Sequence, residues 1–291
     1  MTELQEEKRR GYLHEDYRLF RLRDRIPPEV EYHYHDFHKL MFLYSGDVKY
    51  VVEGRECAME PGDFVTVPRG ALHRPIVGQG GEYDRCILYL SPEFLRREST
   101  AECDLELCFS EQFLQSGHVL RPAENEAGKI AAILKNAQQA AFDADGYGSA
   151  LLCRTILMQL LICLARAGRE KKLLSPGTEP RNEKNAELLR YIGENLAEDL
   201  SVEALSRRFF ISRYHLMHRF RQENGVTLHA YILAKRLMLA QDLIASGTPA
   251  TEACFACGCR DYSAFARAYK KQFGVSPRGK LSGGMEGIRQ E

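Results

Sequence analysis

The 291-residue sequence lacks three features that would assign it to other classes of protein. Its start, Met1–Glu6, is polar and acidic, so it does not match a secretory signal peptide. No apolar run is expected to reach the length of a transmembrane helix. There is also no Walker loop and no glycine-rich dinucleotide loop. These absences predict a cytoplasmic protein with no membrane partner and no cofactor.

Net charge is also lacking, because 40 basic side chains balance 40 acidic ones. The balance is uneven along the chain, since residues 181–291 hold 17 Lys and Arg against 12 Asp and Glu. The remaining residues carry the opposite excess. A basic C-terminal part behind an acidic N-terminal part is typical of a DNA-binding domain attached to a sensor. The length is that of two domains, and the apolar content of 44% is enough for two cores.

Nine cysteines in a chain without a secretory leader indicate free thiols in a reducing compartment. Three of them, Cys254, Cys257 and Cys259, lie close together in the sequence. Metal sites with such spacing usually need a second pair of ligands, and none is obvious nearby. We therefore interpret the three as structural thiols in preference to a metal site or a redox sensor.

The C-terminal third, Leu200–Pro277, contains one pattern twice: a short helix, a turn and a second short helix. Ser212 is the predicted N-cap of the second helix in the first copy, and Asp261 has the same place in the second copy. Tyr214 and Tyr262 occupy matching positions 48 residues apart. Such helix-turn-helix units place their second helix in the major groove of DNA. The repeated pattern therefore predicts two DNA-reading units.

The outward faces of these second helices are the predicted DNA contacts. A charged solvent face is the ordinary alternative for one such helix alone, but two capped copies favour DNA. Arg267 is the best candidate for reading a guanine edge with two hydrogen bonds, whereas the other cations suit phosphates. The predicted DNA-binding set is Ser212, Arg213, Tyr214, Met217, His218, Arg221, Arg260, Tyr262, Ser263, Ala266, Arg267, Lys270 and Lys271.

One long helix, predicted from Thr227 to Ser246, joins the two units and ends at Gly247. A rigid joining helix would fix the separation of the two units. Successive major-groove faces recur at about 34 Å along a duplex, so each unit could read one turn of the same DNA face.

Residues 185–281 resemble the DNA-binding domain of the AraC/XylS family of bacterial transcription regulators. That resemblance implies base contacts by the two outward faces described above. Phe210 departs from the pattern, because the family usually has a small turn residue there. The residues that carry the resemblance are Leu205, Ser212, Leu216, Phe220, Gly225, Tyr231, Arg236, Ala240, Leu243, Cys257, Gly258, Asp261, Phe265, Arg267, Phe273, Gly274, Ser276 and Pro277.

The N-terminal half shows short apolar runs separated by turn residues, which predict a barrel or jelly roll over residues 15–95. The turn pattern resembles a cupin, as in the sensor domain of the same regulator family. Two helices, Ala123–Phe142 and Ser149–Ala167, are predicted over residues 123–167. The predicted strands are Leu40–Ser45, Val48–Val52, Arg55–Met59, Phe64–Val67 and Tyr83–Leu90.

The two cupin motifs are matched at His33, His35 and His73, but Lys39 stands where metal-binding cupins have a glutamate ligand. A cation there opposes a metal ion, although three imidazoles alone hold zinc in some sites. We therefore predict no bound metal. The predicted site is an organic effector pocket lined by His33, His35, Lys39 and His73, suited to an anionic or hydroxyl-rich ligand. Partnered strand histidines with no ligand are the open alternative.

The predicted helix Ser149–Ala167 is apolar on most of its circumference, so it must be buried on more than one side. Packing against the barrel and against a second copy would achieve this and predicts a homodimer, as in regulators that this chain resembles. Burial within a single monomer is the alternative. The charged segment 171–184 is the predicted linker.

The predicted fold is a two-domain α+β protein. A cupin-like barrel or jelly roll with flanking helices spans residues 1–170, and an all-α bipartite helix-turn-helix domain spans residues 185–291. The predicted function is sequence-specific transcription regulation without enzymatic activity, with double-stranded promoter DNA, a small effector and RNA polymerase as partners. Two alternatives stay open. One is a cupin metalloenzyme, an oxygenase or isomerase, with an accessory helical domain. The other is a regulator whose filled barrel binds no ligand.

Overall fold

The computed structural model describes Leu13 and residues 15–25, 29–78, 81–114, 117–143, 145–174 and 176–279. Three predicted parts of the chain lie outside the described residues. They are the polar start, Ser175 in the predicted linker, and the part of the predicted DNA-binding domain beyond residue 279. The chain divides into two compact units, Met1–Leu189 with Glu223–Gly225, and Arg190–Gln222 with Val226–Glu291.

The first unit is built on two antiparallel sheets. The strands are β1 (Tyr17–Asp24), β2 (His38–Ser45), β3 (Val48–Val52), β4 (Arg55–Met59), β5 (Phe64–Val67), β6 (His73–Val77), β7 (Tyr83–Leu90), β8 (Val119–Pro122), β9 (Leu173–Leu174) and β10 (Glu179–Pro180). The larger sheet has the order β1-β7-β2-β5-β8-β9, and the smaller one has the order β10-β4-β3-β6. The five predicted strands are therefore confirmed, with β2 beginning two residues earlier than expected.

Strand β2 shows why both faces of the larger sheet are buried. Successive side chains of a strand point to opposite faces. Met41 and Leu43 lie in a core shared with Val48 and Val52 of the smaller sheet. Leu40 and Phe42 lie in a second core, which includes residues of the helices. A strand that is covered on both sides loses the alternation of polar and apolar residues, and β2 is apolar over most of its length.

Among its described residues the first unit also contains the helices α1 (Pro92–Glu98), α2 (Glu124–Phe142) and α3 (Ser149–Arg169), a short 3₁₀ turn at Leu107–Phe109, and the start of a further helix at Glu183. Helices α2 and α3 pack on each other. Leu134 of α2 and Leu157 of α3 belong to the same core as the larger sheet. The two helices predicted after the barrel are thus confirmed, and this unit has the expected α+β composition.

Helix α3 corrects one expectation from the sequence. Its length and composition alone would suffice to cross a membrane, although no such run was predicted. A core helix passes the same test, and Leu157, Leu160 and Leu164 are buried in the core of the unit. Leu151 and Leu152 are 66% and 55% exposed, so one side of α3 remains uncovered in the monomer.

The sheets extend beyond the predicted barrel limit at residue 95. Strand β8 pairs with β5, and β9 pairs with β8. Strand β10 pairs with β4, so part of the predicted linker 171–184 is attached to both sheets. Strands β9 and β10 have two residues each, which is too few for any periodicity to be recognised in a sequence.

Six helices follow: α4 (Glu183–Glu194), α5 (Val202–Arg208), α6 (Arg213–Asn224), α7 (Leu228–Ala245), α8 (Ala250–Ala256) and α9 (Tyr262–Phe273). The first predicted helix-turn-helix is α5 with α6, and the second is α8 with α9. The joining helix is confirmed as α7. The hydroxyl of Thr227 caps its start by accepting a hydrogen bond from the amide of Ala230 at 3.2 Å. It ends before Gly247, whose φ is +98°.

Candidate DNA interface and effector pocket

Helix α6 is oriented by its cap and by its buried face. The hydroxyl of Ser212 accepts a hydrogen bond from the amide of His215 at 3.3 Å, as expected of an N-cap. Leu216 and Phe220 are 3% and 1% exposed. Since these residues point into the core, the opposite side of α6 faces solvent.

The outward face of α6 carries the side chains predicted from the sequence. Tyr214 is 76% exposed and Met217 47% exposed. The rings of Tyr214 and His218 are parallel within 4°, with centroids 5.9 Å apart. Arg213 forms an ion pair with Glu203 of α5 at 2.9 Å. This face therefore offers hydrogen-bond donors and flat apolar surface on one side of a helix, and both are used in the major groove.

Helix α9 has the matching arrangement in the second helix-turn-helix. The Asp261 carboxylate accepts a hydrogen bond from the amide of Ala264 at 2.9 Å, and this contact lowers the pKa of Asp261. Phe265 and Tyr269 are buried and fix the orientation of the helix. Of the predicted contacts at this helix, Arg260, Ser263, Arg267, Lys270 and Lys271 are exposed, while Tyr262 and Ala266 are half-buried.

One neighbour of this face was not anticipated. The guanidinium of Arg278 lies over the ring of Tyr262, 5.3 Å from its centroid. Arg278 follows α9 in a turn, so helical periodicity gives no signal for it. Its charge lies beside the predicted base-reading face and adds to the cations suited to phosphate.

In the first unit, backbone pairing brings the predicted pocket histidines together. The amide of His33 donates to the carbonyl of His73 at 3.1 Å, and the amide of His73 donates back at 2.9 Å. The ring centroids of His33 and His73 are 4.2 Å apart, and those of His35 and His73 are 4.8 Å apart. The sequence motifs thus place three imidazoles in one cluster.

The tautomers of the two buried rings follow from their partners. The Nδ1 atom of His35 lies 2.7 Å from the carbonyl oxygen of Phe37, and that of His73 lies 2.9 Å from the carbonyl oxygen of Ala71. A carbonyl only accepts, so Nδ1 carries the proton in both rings and Nε2 presents a lone pair. Among the described residues, neither buried Nε2 has a hydrogen-bond partner.

Both buried imidazoles are neutral near pH 7. Burial lowers the pKa of His35 and of His73 well below the ordinary value, because a charged ring would lose its hydration. The charges of Lys39 and His33 lower both pKa values further.

Lys39 is buried near the histidine cluster, and its assignment to an effector pocket stays a prediction. It is 6% exposed, and its ammonium donates a hydrogen bond to the Tyr50 hydroxyl at 2.7 Å. His38 points elsewhere, with its Nε2 3.2 Å from a carboxylate oxygen of Glu106. The cluster does not fit a metal ion, since no group of three His, Cys, Asp or Glu within the described ranges could hold one. A buried ammonium beside the rings opposes a cation as well.

The nine cysteines are free thiols, as predicted. Cys254 and Cys257, in the first helix of the second helix-turn-helix and at its end, are fully buried. The Cys257 thiol donates to the carbonyl of Cys254 at 3.1 Å. Their burial agrees with the interpretation of structural thiols.

Two family models match the chain. A model described as an AraC-like ligand binding domain matches residues 19–161, and a model described as a helix-turn-helix domain matches residues 205–281. The chain is similar to the HTH-type transcriptional activator RhaS of Escherichia fergusonii, with 26% identity over 261 residues, 84% of this chain and 85% of the relative. It is 25% identical to RhaS of Salmonella arizonae over 256 residues, with the same two coverages.

Solved structures give weaker likenesses. ToxT from Vibrio cholerae with a bound unsaturated fatty acid has 12% identity over 91% of this chain and 95% of that chain, with a TM-score of 0.36. The DNA-binding domain of AdpA in complex with a target DNA has 31% identity over 32% of this chain and 84% of that chain, with a TM-score of 0.30.

The two family models follow one another along the chain in the order of the two predicted domains. The two RhaS relatives each match 84% of the chain, and both are described as HTH-type transcriptional activators. The chain belongs to the AraC/XylS family of transcription regulators, with an AraC-like ligand-binding domain followed by a helix-turn-helix DNA-binding domain.

Proposed function

We propose that this regulator reads promoter DNA with the outward faces of α6 and α9 and responds to a neutral, hydroxyl-rich effector held beside His35, His73 and Lys39. The observation that carries the DNA half is the shared construction of the two helices. Each is capped by a side chain, each buries at least one aromatic residue on one face, and each exposes donors on the other. We assign base reading to Tyr214 and Arg267, and phosphate contacts to Lys270 and Lys271.

The chemistry of the effector follows from the two buried imidazole nitrogens that have no hydrogen-bond partner within the described part of the chain. Both Nε2 atoms are acceptors, so the ligand has to donate hydrogen bonds to His35 and His73. The Lys39 ammonium beside them donates, and it disfavours a cationic ligand. Hydroxyl groups donate and accept, and they carry no charge. A purely anionic ligand would place its oxygens against two lone pairs, so a hydroxyl-rich ligand fits the cluster better.

Regulation is proposed to work by a population shift. A ligand changes the DNA-competent fraction only if it binds that state more tightly. The exposed leucines of α3 support a homodimer, which would hold two copies on paired DNA sites. We also propose a cytoplasmic activator that contacts RNA polymerase, because the RhaS relatives are activators. For the same reason we propose that the chain is not an enzyme.

The DNA half is tested by genome-wide mapping of bound sites, followed by fluorescence anisotropy on a 30-base-pair duplex from the strongest site. We expect tight binding to that duplex and weaker binding by Tyr214→Ala. Lys135→Ala, an exposed change on α2, is the control and should bind as the wild type does. Equal binding by wild type and Tyr214→Ala would remove the proposed face of α6.

The effector half is tested by calorimetry with neutral polyols, monocarboxylates and divalent metals as separate probes. We expect heat from one of the polyols and its loss in His73→Phe, which removes one acceptor from the cluster. Stoichiometric metal bound by the histidines would favour the metalloenzyme alternative. Silence from every probe would favour a filled barrel that recognises another protein.

A further inference from the structure

The turn between α5 and α6 holds a residue that the fold itself does not favour. Phe210 has a φ of +52°, the left-handed region that L-residues other than Asn and Asp seldom adopt. Phe210 is 96% exposed, so its ring has little packing contact with the described residues. Backbone strain and exposed apolar surface both count against phenylalanine at this position.

The second helix-turn-helix has glycine at the corresponding position of its turn. The amide of Phe210 donates to the carbonyl of Arg207, and the next amide, of Ile211, donates to Ser206. In the second helix-turn-helix the amide of Gly258 donates to the carbonyl of Phe255, and the next amide, of Cys259, donates to the carbonyl of Cys254. Both pairs have the spacing of a Schellman motif, which usually places glycine at the left-handed residue.

Gly258 and Phe210 therefore occupy equivalent places, 48 residues apart, like the two tyrosines of the reading helices. Glycine is obligatory at 258, because a Cβ atom there would meet the carbonyl oxygen of Leu196. At 210 a side chain is sterically allowed, yet a strained and exposed phenylalanine stands there. Since neither packing nor backbone geometry explains this residue, a binding role is the remaining physical reason to look for.

We propose that Phe210 is a DNA contact whose ring packs against a deoxyribose of the strand that borders the groove entered by α6. Phe210 lies two residues before the N-cap Ser212, which keeps it within about 7 Å of the reading helix. Exposed Arg207 and Arg208 precede it and exposed Arg213 follows it. Along the chain, cations thus stand on both sides of Phe210, as phosphates stand on both sides of a deoxyribose. The inference rests on the proposed DNA face of α6.

The test uses the full chain and compares Phe210→Gly, Phe210→Tyr and Phe142→Ala. Phe142→Ala is the matched control, because Phe142 is 93% exposed and lies in the first unit. The probe is a fluorescein-labelled 30-base-pair duplex of random sequence at low salt, since sugar contacts carry no sequence information. Melting temperatures are measured on the same preparations.

For Phe210→Gly we expect roughly fivefold to tenfold weaker binding, the cost of losing one well-placed aromatic contact. Its melting temperature should be unchanged or higher, because glycine relieves the left-handed backbone. Phe210→Tyr should bind within about twofold of wild type, since it keeps the ring. Phe142→Ala should bind as wild type does.

Wild-type affinity of Phe210→Gly would overturn the inference. If Tyr214→Ala weakened binding to the mapped promoter in that case, the α6 face would stand and only Phe210 would be removed from it. If both variants bound as wild type, the whole α6 face would fall. Unchanged DNA affinity with lost transcription from the mapped promoter would also overturn it, and would assign Phe210 to RNA polymerase.

Discussion

The rings of His35 and His73 lie 4.8 Å apart, nearly edge to face, and each donates its Nδ1 proton to a backbone carbonyl two residues away. Local backbone contacts therefore set both ring orientations and both tautomers. The two Nε2 lone pairs are buried in one cluster with a lysine. Such a cluster is buried and presents two acceptor nitrogens, which makes it sensitive to protonation as well as to a ligand.

The first prediction concerns pH. His35 and His73 have lowered pKa values in the folded chain, so they stay neutral there while unfolded chains bind protons below about pH 6.5. Stability is then full above that pH and falls as the pH drops. Each ring lowers the free energy of unfolding by up to about 1.4 kcal/mol for each pH unit below pH 6.5. Urea unfolding followed by circular dichroism at pH 7.5, 6.5 and 5.5 measures the slope.

His73→Gln should reduce this slope by about one proton, since one of the two suppressed protonations is removed. His229→Gln, a change of an exposed histidine on α7, is the control and should leave the slope as it is. A stability that does not change between pH 7.5 and 5.5 in the wild type would contradict the buried neutral state of both rings.

The elements that the sequence predicts well are those with a strong local signal. Strand β3 and helix α7 combine clear periodicity with turn or cap residues, and their bounds agree with expectation within one residue. The histidine cluster was also predictable, because the cupin-like motifs fix which positions meet. The role of each site residue in binding stays a prediction.

Other features depend on contacts between distant segments. Strand β6 contains Pro75, which argues against a strand when the partner is unknown. Strands β9 and β10 have two residues each and exist only through their partners β8 and β4. The burial of the two Nε2 atoms and the stacking of Arg278 on Tyr262 likewise require the folded arrangement.

The second prediction separates backbone strain from steric conflict at two glycines. Gly258→Ala combines a φ of +87° with a clash against the Leu196 carbonyl. Gly247→Ala has a φ of +98° but no atom within 4 Å of the added Cβ. We expect Gly247→Ala to cost about 1 kcal/mol and Gly258→Ala at least about twice that.

Urea unfolding of both variants against the wild type gives the comparison. Arg236 supports the expected difference, because its guanidinium donates to the carbonyls of Leu196 and Glu198 and holds the opposing segment in place. Equal costs at the two glycines would mean that this segment moves away freely.

The third prediction concerns the oligomer. If the exposed leucines of α3 form a dimer interface, Leu152→Glu places a charge in it and should shift the protein to monomer. Sedimentation at micromolar concentration measures the change. Lys135→Glu on α2, also exposed, is the control for added negative charge. A wild type that sediments as a monomer would leave α3 without the proposed role.

The fourth prediction concerns phosphate contacts. Lys271 is exposed on the last turn of α9, beside Lys270. Each phosphate neutralised by a lysine contributes about 0.9 to the slope of log affinity against log salt. Lys271→Ala should therefore lower the slope by about one unit on any duplex, measured by anisotropy from 50 to 200 mM salt. An unaltered slope would place Lys271 outside the interface.

The last prediction distinguishes sequence reading from simple attraction. Arg267 is exposed on α9, on the side opposite the buried Phe265 and Tyr269. A guanidinium that donates two hydrogen bonds to guanine discriminates one base pair by about 1–3 kcal/mol. Arg267→Ala should thus weaken binding to the mapped promoter by that amount and relax the preference at a single position. Its affinity for random duplex should fall much less. Anisotropy on a set of single-substitution duplexes resolves the two effects, and an equal loss on every duplex would instead make Arg267 a phosphate contact.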